Sequence, residues 1–319
     1  MNNKVKDEMN KIDIPEELSE RSQLGVAKAA NEIGKKRKRF NLTGIGIAAA
    51  LLLSFGAFLL VGNEYLNDAG GGQQALISDK DRGIKIPAIK LPKGNTSSMD
   101  MIGLIVYNGK IYTQTNSQIK PAAAKDLLGE KLGITKGNID EWSSQKAYAE
   151  ELASTIGQAD VYSVKGYDRD FRIMIYNEWD GNTRAEYYEN LNGITIRSGA
   201  DLFSKMKMAG HVSSAQWRTG NDWFNSIDNF KPITDMAVLN AFLEQLNHTK
   251  PILRERNGSG LDEMRNDEGF TELTVDLTDG STVRLELLKG GYINYGAMDV
   301  YFKMEADIFS EMWNLLDEK

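Results

Sequence analysis

Apolar and polar positions change their spacing three times along this chain. Residues 12–34 place apolar and small side chains at helical intervals, and residues 40–63 carry no charge at all. From about Met99 onward, short alternating runs are separated by turn residues. Asn108-Gly109, Asp180-Gly181 and Asp279-Gly280 each stand between two such runs, the sequence pattern of a β-hairpin. A fourth strand pair is expected around Gly290-Gly291. Helical spacing predicts helices over Ala122–Leu132, Met236–Leu246 and Glu305–Leu316. Hairpins interleaved with single helices predict an α+β fold, antiparallel sheets with helices packed against them. Two subdomains are expected, residues 99–225 and 226–319.

Residues 64–98 read as a tether. Gly70-Gly71-Gly72 and the polar run from Ser78 to Gly83 favour flexible chain, and Pro87 and Pro92 favour extended chain. Alternation at Ile84, Ile86, Ile89 and Leu91 could add an edge strand. Tyr187 and Tyr188 are adjacent on a predicted strand and therefore point to opposite faces. One of them is expected at the surface or at an interdomain contact.

The uncharged run Phe40–Asn63 is 24 residues long. As a helix it would reach about 36 Å, enough to cross a hydrocarbon layer of about 30 Å. Lys35, Lys36, Arg37, Lys38 and Arg39 stand immediately before it, and no basic residue follows until Lys80. That asymmetry predicts one transmembrane helix, N-terminus cytoplasmic and C-terminus outside, uncleaved because 39 residues precede it. Gly46, Ala50 and Ser54 recur every four residues, a spacing that permits weak helix self-association.

Charge separates the same two ends. Residues 1–39 hold ten Lys/Arg and seven Asp/Glu, a balance of +3, so the remainder carries -10 of the overall -7. The composition also narrows the chemistry. Cysteine is absent, which excludes disulfides, thiolate metal sites and a cysteine nucleophile. His211 and His248 are the only histidines, too few for a histidine-rich metal centre. Gly258-Ser259-Gly260 lacks nucleophile-elbow spacing. Asp168-Arg169-Asp170 and the acidic residues 262–268 do not match a calcium loop. The expectation is a protein that is not an enzyme, holds no cofactor or metal and makes no direct contact with nucleic acid. Five tryptophans and twelve tyrosines are expected mainly in the core.

The short segment 1–39 carries its own pattern. Pro15 suits a first helical position, and Glu16 and Glu17 suit the positive end of the helix dipole. At about 100° per residue, Leu18, Ser22, Gly25, Val26, Ala29 and Ile33 share one face, with Ile14 just before it and Leu24 nearly opposite. A lone helix this short is marginal in water and needs a partner to bury its stripe. Because the bilayer lies between them, the outer domain cannot be that partner.

Residues Ile12 to Leu18, then Arg21 to Val26, then a basic cluster before one span, resemble the membrane-anchored anti-sigma factors of Gram-positive, bacillus-type bacteria. The resemblance implies that Ile14, Leu18, Ser22, Leu24, Val26, Ala29 and Ile33 hold a cytoplasmic sigma factor of the extracytoplasmic-function type. It also implies release when the outer domain or membrane stress triggers proteolysis. This chain lacks the H-x₃-C-x₂-C zinc motif of one large subgroup, so zinc-dependent binding does not carry over. The alternative is a membrane-anchored surface-binding module with no cytoplasmic partner.

Overall fold

A computed structural model describes residues 78–79, 83–89, 102–140, 143, 145–254, 261, 264–266, 268–296 and 298–317. The inner segment, the span and most of the expected tether lie outside these residues. What is described is an α+β fold in which every strand pair is antiparallel.

A small sheet joins β1 (Ser78–Asp79), β2 (Gly83–Lys85) and β10 (Thr195–Ile196). A six-stranded sheet contains β3 (Leu104–Tyr107), β4 (Lys110–Thr113), β6 (Leu128–Ile134), β7 (Asp160–Val164), β8 (Arg172–Trp179) and β9 (Asn182–Glu189). Their spatial order is β3-β4-β9-β8-β7-β6. The eight-stranded sheet takes β5 (Ser117–Ile119), β11 (Val212–Thr219), β12 (Lys231–Pro232), β13 (Lys250–Leu253), β14 (Phe270–Leu277), β15 (Ser281–Leu288), β16 (Tyr292–Asn294) and β17 (Val300–Lys303). It therefore draws strands from both sides of residue 225.

The expected hairpins form at the expected turns. Asn108 and Gly109 have φ of 50° and 68°, and Asp180 and Gly181 have 48° and 77°. Two left-handed central residues match the twist of the flanking strands, which is why Asn-Gly and Asp-Gly serve here. In the β14–β15 hairpin only Gly280 is left-handed, and its N–H bonds Leu277 O at 3.0 Å.

Five α-helices are described: α1 (Pro121–Ala124), α2 (Ala200–Met206), α3 (Gly220–Phe224), α4 (Met236–Gln245) and α5 (Ala306–Asp317). The last two match the helical spacing in the sequence. Asp235 caps α4 by accepting from Ala237 N and Val238 N at 3.0 and 3.1 Å. The helix expected over Ala122–Leu132 does not persist: α1 ends after one turn and β6 begins at Leu128. Gly129 explains the switch, because a Cβ there would overlap Ser163 Oγ of β7. Only glycine lets the two strands approach so closely.

The main core lies between the eight-stranded sheet and α2, α4 and α5. Leu273, Val275 and Leu277 of β14 and Val283, Leu285 and Leu287 of β15 meet Phe203, Phe242, Phe309 and Met312 there. Ile84 and Ile196 of the small sheet join the same core. The six-stranded sheet is covered on both faces. Ile173, Ile175 and Tyr188 pack on one side, and Met174, Tyr176 and Tyr187 on the other. Tyr187 and Tyr188 are thus both buried. Tyr187 reaches the eight-stranded sheet through Ser281 Oγ at 2.9 Å, so neither tyrosine is at the surface.

Candidate functional site

The face of β14 and β15 turned away from the helices is mixed: Phe270, Leu288 and Tyr301 form a buried apolar cluster at one end, and polar side chains fill the rest. Opposite the helix-packed side stand Glu272, Thr274 and Asp276 of β14 and Thr282, Arg284 and Glu286 of β15. Ser214, Gln216 and Arg218 of β11 complete the surface. Register sorts them into three cross-strand rows: Arg218–Glu272–Glu286, Gln216–Thr274–Arg284 and Ser214–Asp276–Thr282. Residues so paired have Cβ atoms about 5 Å apart, close enough for their side chains to interact.

The carboxylates of the outer two rows all have charge partners, Arg265 and Lys120 reaching in from outside the rows, although Glu286 Oε2 is buried with no hydrogen-bond partner. Arg218 Nε donates to Glu272 Oε1 at 2.8 Å, and Asp228 approaches the same guanidinium from the rim at 3.8 Å. Arg265 Nη1 reaches Glu286 Oε2 at 2.8 Å. Asp276 accepts from Thr282 at 2.6 Å and Ser214 at 3.1 Å, with Lys120 Nζ 3.2 Å away. Burial raises the Asp276 carboxyl pKa, but these donors and the lysine outweigh it and hold the carboxyl below its ordinary value. Burial likewise lowers the Arg265 pKa, and the Glu286 carboxylate more than reverses this.

The middle row differs. Arg284 makes one side-chain hydrogen bond, Nη2 to Gln118 Oε1 at 3.3 Å, and no carboxylate pairs with it among the described residues. Its Nε and the hydroxyl of Thr274 are both buried with no partner. A guanidinium, a hydroxyl and the Gln216 amide thus share one row, with Arg284 Nε and the Thr274 hydroxyl closed to solvent. No family model, curated protein or solved structure matches the chain. The site must therefore be read from its own chemistry.

A second polar cluster is fully enclosed where the two large sheets meet. Glu189 accepts from Arg172 Nε at 2.8 Å, Thr115 Oγ1 at 2.8 Å and Tyr295 OH at 2.6 Å. Arg172 Nη2 also donates to Ser117 Oγ at 2.9 Å. The guanidinium lies 4.4 and 4.5 Å from the ring centres of Tyr167 and Tyr187. Its Nη1 has no hydrogen-bond partner, so the aromatic faces are its compensation. Arg172 and Glu189 are both 0% exposed, which leaves no path for a ligand. Burial lowers the Arg172 pKa, but the Glu189 carboxylate together with the Tyr295, Tyr167 and Tyr187 phenols outweighs it and holds the guanidinium above its ordinary value. This cluster clamps the sheets together.

The remaining expected positions divide as follows. Ile14, Leu18, Ser22, Leu24, Val26, Ala29, Ile33, the cations 35–39 and Gly46, Ala50 and Ser54 lie outside the described residues, as do Trp142 and residues 258–260. No helix among the described residues is long and apolar enough to cross a membrane. His211 and His248 are exposed, and His211 Nδ1 lies 3.0 Å from Ala209 O. Asp170 pairs with Lys110 at 2.8 Å. Among the described residues no three His, Asp or Glu side chains are grouped to hold a metal. Trp217 is buried, Trp223 and Trp313 are half-buried, and Trp179 is 52% exposed at a hairpin tip. Sequence reasoning found the β14–β15 hairpin but not its middle row. The alternation marked the polar face, whereas which polar residues lack partners depends on register across three strands.

Proposed function

We propose that this chain is a single-pass membrane regulator. Its inner segment sequesters a cytoplasmic sigma factor, and its outer α+β domain, organised as two subdomains, senses or gates release. The observation that carries this reading is the order of three segments: an amphipathic stripe from Leu18 to Ile33, five adjacent cations, and 24 uncharged residues. An apolar stripe on a short helix stays in water only at a cost, so it implies a docking partner on the cytoplasmic side. Occlusion of a protein surface, not catalysis, is the mechanism.

Leu18→Asp and Val26→Asp test it. Each would desolvate an unpaired carboxylate in an apolar contact, at a cost of several kcal/mol, against the roughly 1.4 kcal/mol that changes affinity tenfold. Both variants should lose co-purification with the sigma factor and raise transcription of its regulon, while Glu20→Ala stays silent. Unchanged binding and transcription in both aspartate variants would remove the reading. A second reading is an anchored surface-binding module with no cytoplasmic partner. On that reading, deletion of residues 1–30 leaves the phenotype unaltered.

A further inference from the structure

We propose that residues 83–89 form a latch, seated only while the two large sheets are clamped together. Backbone pairing carries the first part of the argument. Ile84 and Lys85 of β2 pair with Ile196 and Thr195 of β10. Beyond β2 the strap runs on along the same stretch. Ile86 N donates to Ile194 O at 2.8 Å, Gly193 N donates to Pro87 O at 3.2 Å, and Ile89 N donates to Asn192 Oδ1 at 3.3 Å. Ile84, Lys85, Ile86, Pro87 and Ile89 thus all rest on one connector, residues 190–196. That connector joins β9 of the six-stranded sheet to α2, which packs in the core of the eight-stranded sheet.

Side chains carry the second part. Ile84, only 3% exposed, sits in the main core with Ile196. Ile89 packs against Leu104, Val106 and Ile111 of the six-stranded sheet. One short strap therefore touches the cores of both sheets. Asn192 ties the same place to β4, its Nδ2 donating to Ile111 O at 2.7 Å.

The buried clamp holds the other end of the connector. Glu189 closes β9 immediately before it, and its carboxylate grips Arg172, Thr115 and Tyr295. While that clamp is closed, the connector is fixed and meets the strap in register. When the clamp opens, the connector loses its position, and the strap loses the template for its whole run of contacts together. Two residue pairs of β-ladder are too few to persist without such support. A segment held by so few bonds opens at a free energy below that of the whole domain. Release frees the chain on the side that leads back to the uncharged run at 40–63. Strap seating then reports the state of the outer domain towards the membrane. That use rests on the regulator reading, whereas the coupling of clamp to strap does not.

Hydrogen exchange of the full chain in lipid nanodiscs, read by mass spectrometry, tests the coupling. In the unmodified protein, amides of residues 84–89 should exchange faster than those of 273–287 by about tenfold or more, because the strap opens separately. Glu189→Gln weakens the clamp without touching the strap, and it should speed exchange at both 190–196 and 84–89 by about fivefold or more. Gly83→Ala works from the other side. Gly83 has φ of 85°, and a Cβ there would overlap Ile196 O, so alanine unseats the strap. Coupling is reciprocal, so this variant should also speed exchange at 190–196. Should Glu189→Gln fail to fold, Thr115→Val, which removes one donor to the carboxylate, should act in the same direction by about twofold or more. A single common rate for 84–89 and 273–287 would overturn the proposal. So would a connector that loosens in the clamp variant while the strap does not, or a Gly83→Ala effect confined to the strap. None of these readouts involves the sigma factor, so its failure to bind would leave them unchanged and would count against the regulator reading alone.

Discussion

At the scale of single residues, the Arg172–Glu189 pair shows how a buried charge is made tolerable. Taking either ion out of water costs several kcal/mol, and only its partner, the Thr115, Ser117 and Tyr295 hydroxyls and two aromatic faces offset that. Removing one member should therefore cost more than removing both. We expect Glu189→Leu and Arg172→Met each to lower stability by about 3–5 kcal/mol, because each leaves an uncompensated charge. The double variant should fall well short of the sum of the two. Denaturant unfolding followed by tryptophan fluorescence reads all three. Additive losses would show that the pair is not coupled.

Among elements, two glycines separate two physical demands. Gly109 needs its left-handed φ of 68°, and the space around it is open. Gly199, which precedes α2, has an ordinary helical φ of -57°, but a Cβ there would overlap Leu246 O and Thr249 Oγ1. Alanine at Gly109 should cost about 1 kcal/mol of backbone strain, relieved locally in the turn. Alanine at Gly199 should cost about 3 kcal/mol, since the contact between α2 and the segment after α4 must open. The ratio of the two losses in thermal unfolding checks the assignment. Similar losses at both sites would mean that the Gly199 contact gives way without strain.

Across the whole molecule, buried tyrosines tie stability to high pH. Burial is the largest cause for Tyr167, which is pushed up to about 12, and it also raises Tyr112, Tyr187, Tyr188 and Tyr295. In the unfolded chain these phenols ionise near their ordinary value of about 10. The folded form binds the protons more tightly, so their stabilisation is complete below pH of about 10. It is lost as pH rises through the folded values. Tyrosinate absorbance should therefore rise in two stages. Exposed phenols titrate first, and the buried set appears only together with loss of near-ultraviolet circular dichroism. A single smooth titration with the fold intact would contradict the burial of these rings.

How much of this was legible in the chain depends on how local the cause is. Turn chemistry acts within four residues, so Asn108-Gly109, Asp180-Gly181 and Asp279-Gly280 identified their hairpins, and the spacing of α4 and α5 identified those helices. Alternation in β14 and β15 identified a strand pair with one polar side. Ala122–Leu132 misled because its leucines satisfy helical spacing and, from Leu128 onward, partly satisfy strand spacing as well. Close packing of Gly129 on Ser163 chose the strand. Adjacency on a strand left Tyr187 and Tyr188 a choice between the surface and a contact with a further layer, and the Tyr187–Ser281 hydrogen bond to the second sheet decides for the contact. The middle row of the candidate site was least legible of all. An unmatched Arg284 is defined by what its neighbours on β11, β14 and β5 leave unpaired, and its one side-chain partner, Gln118 of β5, lies 166 positions away. By itself the sequence determined the charge asymmetry, the uncharged run, the turns and the periodicity, because each arises between near neighbours. Only the tertiary structure decided which polar groups meet, because hydrogen-bond partners across strands are set by register and not by distance along the chain.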